Sequence, residues 1–238
     1  HGLKSHPSRF QRLLEALAAH GVVAAAPAYP LTNSDRPDGG DNPADVVQQP
    51  RDLSFVIDSV LAASASPGDA LGGWVDPARI GLIGSSLGAI TSLTTAYNSC
   101  CRDGRIGAVI SISGALLRFS GTFDLSGAPL LLIHGDADDT LPYASSAQAY
   151  ADAAPPKWFV TLVGGGHDVA QLGIDTAGSQ AHFEEFTAII SDFLDLYLRG
   201  DAGARTRLID DAQIPGLTTL QFDAPAPPAR TADERTPR

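Results

Sequence analysis

The sequence predicts an α/β fold, a mostly parallel sheet with helices on both faces, and three observations carry that expectation. Short apolar runs alternate with amphipathic stretches along most of the chain. The runs end in Gly, Pro or Asp turns, as buried parallel strands do at their carboxyl ends. The stretches between them keep an apolar face at a 3.6-residue period. With 238 residues, 44% of them hydrophobic, the chain is long enough to bury one sizeable core.

Phe10, Leu13, Leu14, Leu17 and Ala18 recur at helical spacing until Gly21, and Ser8 with Gln11 has the spacing of a capping box. Residues 22–26, VVAAA, read as a short buried strand that stops at Pro27. Residues 29–43, YPLTNSDRPDGGDNP, predict an exposed loop of the kind that carries function. A helix resumes near Pro50, where Leu53, Val56, Ile57, Val60 and Leu61 keep one face apolar. Strands are expected at 80–83, 106–112, 129–133 and 159–163, and helices at 87–97, 143–153 and 183–197. After Gly200 the pattern fades, so residues 1–199 form the expected domain and 200–238 an extension. From about 224 that extension, APAPPARTADERTPR, is Pro-rich and charged and is expected to be disordered.

Charge excludes one class of partner. There are 27 acidic side chains against 16 basic ones, a net charge of −11, and lysine occurs only as Lys4 and Lys157. No basic stripe can form to neutralise phosphates, so nucleic acid is not expected. No apolar run approaches the roughly 18 to 20 residues that span a bilayer, so no transmembrane segment is expected. Cys100 and Cys101 are adjacent, a spacing that rarely suits a mutual disulfide or a metal, and they read as structural. Compartment and oligomeric state stay open.

The chemistry centres on residues 83–89, IGSSLGA. Gly84 to Gly88 match G-x-S-x-G with Ser86, not Ser85, at the centre. A sharp strand-to-helix turn would expose that hydroxyl, and side chains two positions either side would clash. Composition alone gives roughly 0.2 such matches in a chain like this one. The setting adds weight, because an expected strand ends at Ile83 and an expected helix begins at Leu87. The Leu87 amide would then face a developing oxyanion at a helix amino terminus.

Serine needs a base and an acid to orient that base. The expected strand before His134 runs into His134-Gly135-Asp136-Ala137-Asp138-Asp139, and the next runs into Gly164-Gly165-Gly166-His167. The order Ser, Asp, His results, with Asp136, Asp138 and Asp139 as rival acids. A dinucleotide oxidoreductase is the rival enzyme class, but the turn lacks G-x-G-x-x-G, and neither lysine follows a glycine as a P-loop requires. Neither H-E-x-x-H nor a cluster of His and Cys together occurs in the sequence, so no metal and no organic cofactor is expected.

These motifs together resemble the α/β-hydrolase superfamily, in which H-G-x-x-D-x-x-V-P carries the acid and G-x-x-H the base. The resemblance implies Asp138 as acid, with Leu141 in place of the usual Val, and His167 as base. His1-Gly2-Leu3 is similar to the H-G-x segment after the superfamily's third strand, which implies the Leu3 amide as second oxyanion donor beside that of Leu87. It also implies a sheet that lacks the first strands, as in a piece of a longer protein. His134 is expected to be structural, bonded within its own turn, and His6, His20 and His182 to be surface or helix residues. Within the superfamily the chain looks similar to dienelactone hydrolase-like, platelet-activating-factor acetylhydrolase-like and cutinase-like polyester hydrolases. Dienelactone hydrolases use cysteine where Ser86 stands, which excludes that activity in its strict form.

The implied function is a serine carboxylic-ester hydrolase that acts through an acyl-enzyme on a small or polymeric ester. The alternatives are a catalytically silent module of the same fold, or an inactive piece, and then the oxidoreductase. Loops 29–43, 115–127 and 173–178 are expected to shape the cleft, with Tyr29, Leu116, Leu117 and Phe119 as apolar candidates.

Overall fold

The computed structural model describes residues 1–117, 120–167 and 180–225. Its elements in order are α1 (Gln11–Ala19), α2 (Gln49–Ala65), β1 (Ile80–Ser85), α3 (Leu87–Tyr97), β2 (Ile106–Ile112), β3 (Leu130–Gly135), α4 (Tyr143–Asp152), β4 (Lys157–Leu162), α5 (Gln180–Leu194), α6 (Ala204–Asp211) and β5 (Thr218–Asp223). The described strands make one sheet in the order β1-β2-β3-β4-β5. β1 to β4 are parallel and β5 runs antiparallel to β4.

Side-chain alternation along the strands divides the core into two layers. Ala108, Ile110 and Ile112 of β2, Leu131 and Ile133 of β3, and Trp158, Val160 and Leu162 of β4 face α1, α5 and α6. The residues between them, Val109, Leu130, Leu132 and Phe159, face Leu93, Ala96 and Tyr97 of α3 and Ala149 and Ala153 at the end of α4. Strands buried on both faces must be apolar at nearly every position, which is why they read as continuous runs.

The structure corrects four expectations. Residues 22–26 form no strand: a groove of about 420 Å³, lined by Val22, Ala24, Val56, Ile57 and Leu82 among others, lies between them and the outer edge of β1, so no ladder joins them. The first helix is not capped by Ser8. A 3₁₀ turn, Pro7–Phe10, leads into it, and the His6 ring accepts from the Ser8 N–H at 3.2 Å. Cys100 and Cys101 are disulfide-bonded to each other. The turn after α3 is closed there by the Cys101 N–H on the Asn98 carbonyl at 3.1 Å and the Cys100 N–H on the Asn98 side chain at 3.0 Å.

The pattern after Gly200 fades in sequence but not in structure. Leu208 of α6 is fully buried against the α5 layer, and Phe222 of β5 stacks on Trp158 at 4.7 Å. β5 is an edge strand whose outer residues are exposed, so it lacks the apolar run that marks the inner strands. Residues 226–238, most of the segment expected to be disordered, lie outside the described residues, as do Phe119 and the 173–178 loop. No helix among the described residues is long and apolar enough to cross a membrane.

Candidate active site

β1 delivers the serine pair to the carboxyl edge of the sheet. Ser85 closes the strand and is buried, 6% exposed, whereas Ser86 occupies the turn before α3 and is partly open. Ser86 has φ 54° and ψ −120°, a region that non-glycine residues avoid and that costs of order 1 to 3 kcal/mol. Its N–H is held by the Ile112 carbonyl of β2 at 2.9 Å. The flanking glycines answer a packing demand. A Cβ on Gly84 would overlap the Gly88 backbone, and one on Gly88 would stand 2.7 Å from the His1 carbonyl oxygen.

His167 reaches the serine because the turns after β3 and β4 are stapled together. A Cβ on Gly135 would overlap the Gly165 carbonyl, the Ala137 N–H donates to that carbonyl at 2.8 Å, and the Gly164 N–H donates to Asp136 Oδ1 at 2.7 Å. His167, 21% exposed, then lies with Nε2 2.9 Å from Ser86 Oγ and Nδ1 2.7 Å from Asp138 Oδ2. An ionised carboxylate only accepts, so Nδ1 carries the proton and the Nε2 lone pair faces the Ser86 hydroxyl, which donates to it.

Asp138 has no exposed side-chain surface. Its Oδ1 accepts the backbone N–H groups of Thr140 and Leu141, each at 2.9 Å. Its Oδ2 accepts from His167 and, at 3.0 Å, from His134 Nε2. Burial alone would raise this carboxyl, but the bonds from His167, Leu141 and Thr140 outweigh it and hold it below the ordinary carboxylate range. The rival acids lie elsewhere: Asp136 holds the glycine loop, and Asp139 bonds only weakly, at 3.3 Å, to the Thr140 hydroxyl beside it.

The first residues lie against Ser86. A Cβ on Gly2 would stand 3.0 Å from Ser86 Cβ, and the His1 ring fixes the segment by donating from Nδ1 to the Gly2 carbonyl at 2.9 Å and accepting the Tyr29 N–H at 3.1 Å. The Leu3 and Leu87 side chains share an apolar cluster with Val46, Ile90, Ala115 and Leu141. No acceptor among the described residues takes the backbone N–H of Leu3 or of Leu87.

The expected cleft residues divide. Tyr29 is buried against Leu53 and Leu82 and borders the groove beside β1, while Leu117 is 39% exposed and Leu116 leans on the α3 layer. The 29–43 loop is anchored: its Thr32 hydroxyl accepts from Gln49 at 3.0 Å and its Leu31 N–H donates to Asp45 at 3.2 Å. Two residues at the site were given no functional role from the sequence. His134 was readable only as a turn histidine four positions before the acid, and Ser146, on α4, had no signal at all.

A family model described as phospholipase/carboxylesterase matches residues 32–171, more than half of the chain and a span that includes Ser86, Asp138 and His167. A comparison with curated proteins gives no match.

Proposed function

The chain belongs to the phospholipase/carboxylesterase family of α/β hydrolases, and from that premise we propose that it is a serine carboxylic-ester hydrolase working through an acyl-enzyme on a small or polymeric ester. The observation that carries this reading is the unbroken line from Ser86 Oγ through His167, at 2.9 and 2.7 Å, to Asp138.

Ser86 Oγ attacks the ester carbonyl while its proton passes to His167 Nε2. Asp138 holds the imidazole by Nδ1 and stabilises the imidazolium. The tetrahedral oxyanion is received by the N–H groups of Leu3 and Leu87, the second at the amino end of α3, where the helix dipole favours negative charge. Collapse breaks the C–O bond to the alcohol, which leaves with the proton from Nε2. Water then attacks the acyl-enzyme by the same proton transfers, releasing the acid and restoring Ser86. A net charge of −11 disfavours polyanionic substrates and suits neutral esters.

The test is hydrolysis of nitrophenyl esters from acetate to long chain, and of a polyester film, by wild type, Ser86→Ala and His167→Ala. Loss of about 10⁴-fold or more in kcat is expected for either variant. Near-native turnover in either one would refute the assignment.

A further inference from the structure

A second imidazole touches the acid from behind. His134, next to last in β3, has no exposed side-chain surface. Its Nε2 lies 3.0 Å from Asp138 Oδ2 and 3.0 Å from the Leu141 carbonyl, and its Nδ1 lies 2.7 Å from Ser146 Oγ on α4. Both partners of Nε2 are acceptors only, so that nitrogen carries a proton. Burial pushes the ring below the ordinary histidine range, against the opposing pull of the Leu141 carbonyl and Asp138. In the neutral ring Nδ1 is then a lone pair, and the Ser146 hydroxyl donates to it. The Gly114 carbonyl, 3.3 Å from Ser146 Oγ, is the competing acceptor for that one proton.

We propose that His134, held in its Nε2–H tautomer by Ser146, is a positioning residue for Asp138: its N–H fills the remaining acceptor site of Oδ2, fixes the carboxylate on His167 Nδ1, and moderates how strongly that carboxylate holds the imidazolium. The proposal rests on the reading of Asp138 as the acid. The full line becomes Ser146, His134, Asp138, His167, Ser86. With the bonds from Thr140 and Leu141, the two carboxylate oxygens accept four hydrogen bonds, so the acid has no other place to turn.

A purely structural role is the competing account, since Nε2 also closes the 138–141 turn through the Leu141 carbonyl. The two differ in what they do to protons. A donor on Oδ2 lowers the carboxylate's basicity, so removing it strengthens the pull on the His167 imidazolium and moves the acid limb of kcat/KM to higher pH. A turn staple lowers rate or stability without moving that limb. The titratable groups facing His134 are Asp138, His167 and, edge-on at 6.0 Å, the Tyr143 phenol. The limb reads protonation of the base, which must be neutral to take the serine proton.

The experiment measures kcat/KM against pH, and the low-field proton resonance of the His167 Nδ1–H, in wild type, His134→Phe, His134→Gln and Ser146→Ala. For His134→Phe the limb is expected to move up by about half to one pH unit, the size of one net hydrogen bond, with kcat down about tenfold. His134→Gln, whose amide nitrogen can stand near Nε2, should restore the limb toward wild type. Ser146→Ala keeps the ring and should shift limb and resonance the same way by less, which also covers a His134→Phe protein that does not fold. An unmoved limb and resonance in Ser146→Ala, with His134→Phe altered only in rate or unfolded, would overturn the positioning role. Asp138→Asn run in parallel separates the two readings: wild-type turnover there removes the acid itself, whereas loss there with unmoved limbs in the other variants removes only His134.

Discussion

Asp138→Asn changes one atom and sets the hydrogen-bond geometry against itself. The carboxylate accepts four donors: the N–H groups of Thr140 and Leu141 on Oδ1, and the rings of His167 and His134 on Oδ2. An asparagine has one acceptor oxygen. With its oxygen toward the backbone pair, its NH₂ meets His167 Nδ1 as a donor, and the ring must move its proton to Nε2. Nε2 then donates to Ser86 and cannot take the serine proton. With its oxygen toward the rings, the NH₂ faces two buried backbone N–H groups, each left unpaired at about 1 to 3 kcal/mol. The productive tautomer is therefore disfavoured by about 2 to 6 kcal/mol, which at about 1.4 kcal/mol per tenfold is a fall in kcat of about 30-fold to 10⁴-fold. The assay is initial-rate hydrolysis of a nitrophenyl ester by protein whose fold is checked by circular dichroism. A folded variant with kcat within about threefold of wild type would refute the tautomer reasoning, because no rotamer of asparagine satisfies all four donors.

Three further outcomes follow from the same contacts. Gly135→Ala places a methyl on the Gly165 carbonyl, so it should displace the loop that carries His167 and lower kcat/KM by about 10²-fold or more while sparing most of the sheet, read by kinetics beside a thermal melt. Trp158→Ala empties a fully buried site, removes the 2.8 Å bond to the Tyr197 hydroxyl and unstacks Phe222; a loss of about 3 to 5 kcal/mol in urea unfolding is expected, and less than about 1 would contradict the packing. His134 titrates below its unfolded value of about 6.5, so the unfolded chain binds the extra proton first and stability falls as pH drops below about 6.5 toward the folded value. Asp138, depressed in the folded state, adds stability that is present above about 4 and is lost as pH falls through its folded value. Urea midpoints between pH 7.5 and 4.5 test the histidine part, which His134→Phe should flatten.

The parallel strands and the long helices were legible because each must be apolar on a face that local periodicity reveals: Leu130 to Ile133 are all buried, and Phe186, Ile189, Ile190 and Phe193 line one side of α5. β5 and α6 were not legible, since an edge strand and a helix with one deeply buried leucine, Leu208, leave little period to read. Residues 22–26 misled for the opposite reason: VVAAA has strand composition, but a strand also requires a partner edge, and a groove lies where that edge would be. At the site, Gly84, Gly88 and Gly164 to Gly166 announced themselves because tight turns restrict residue type. The distances joining Ser86, His167 and Asp138 arise from three turns brought together by the sheet, which no spacing of residues encodes. His134 stayed hidden because one histidine can close a turn or orient an acid, and only the contacts at Nε2 and Nδ1 distinguish those uses.

The most direct measurement of the central claim is intact-protein and peptide mass spectrometry after treatment with a fluorophosphonate. Among the described residues Ser86 is the one hydroxyl held 2.9 Å from the His167 lone pair. One phosphonyl group per chain, mapped to Ser86 and absent in Ser86→Ala, is the expected result. A folded wild-type protein that stays unlabelled, or that is labelled at another serine while Ser86 remains free, would contradict it.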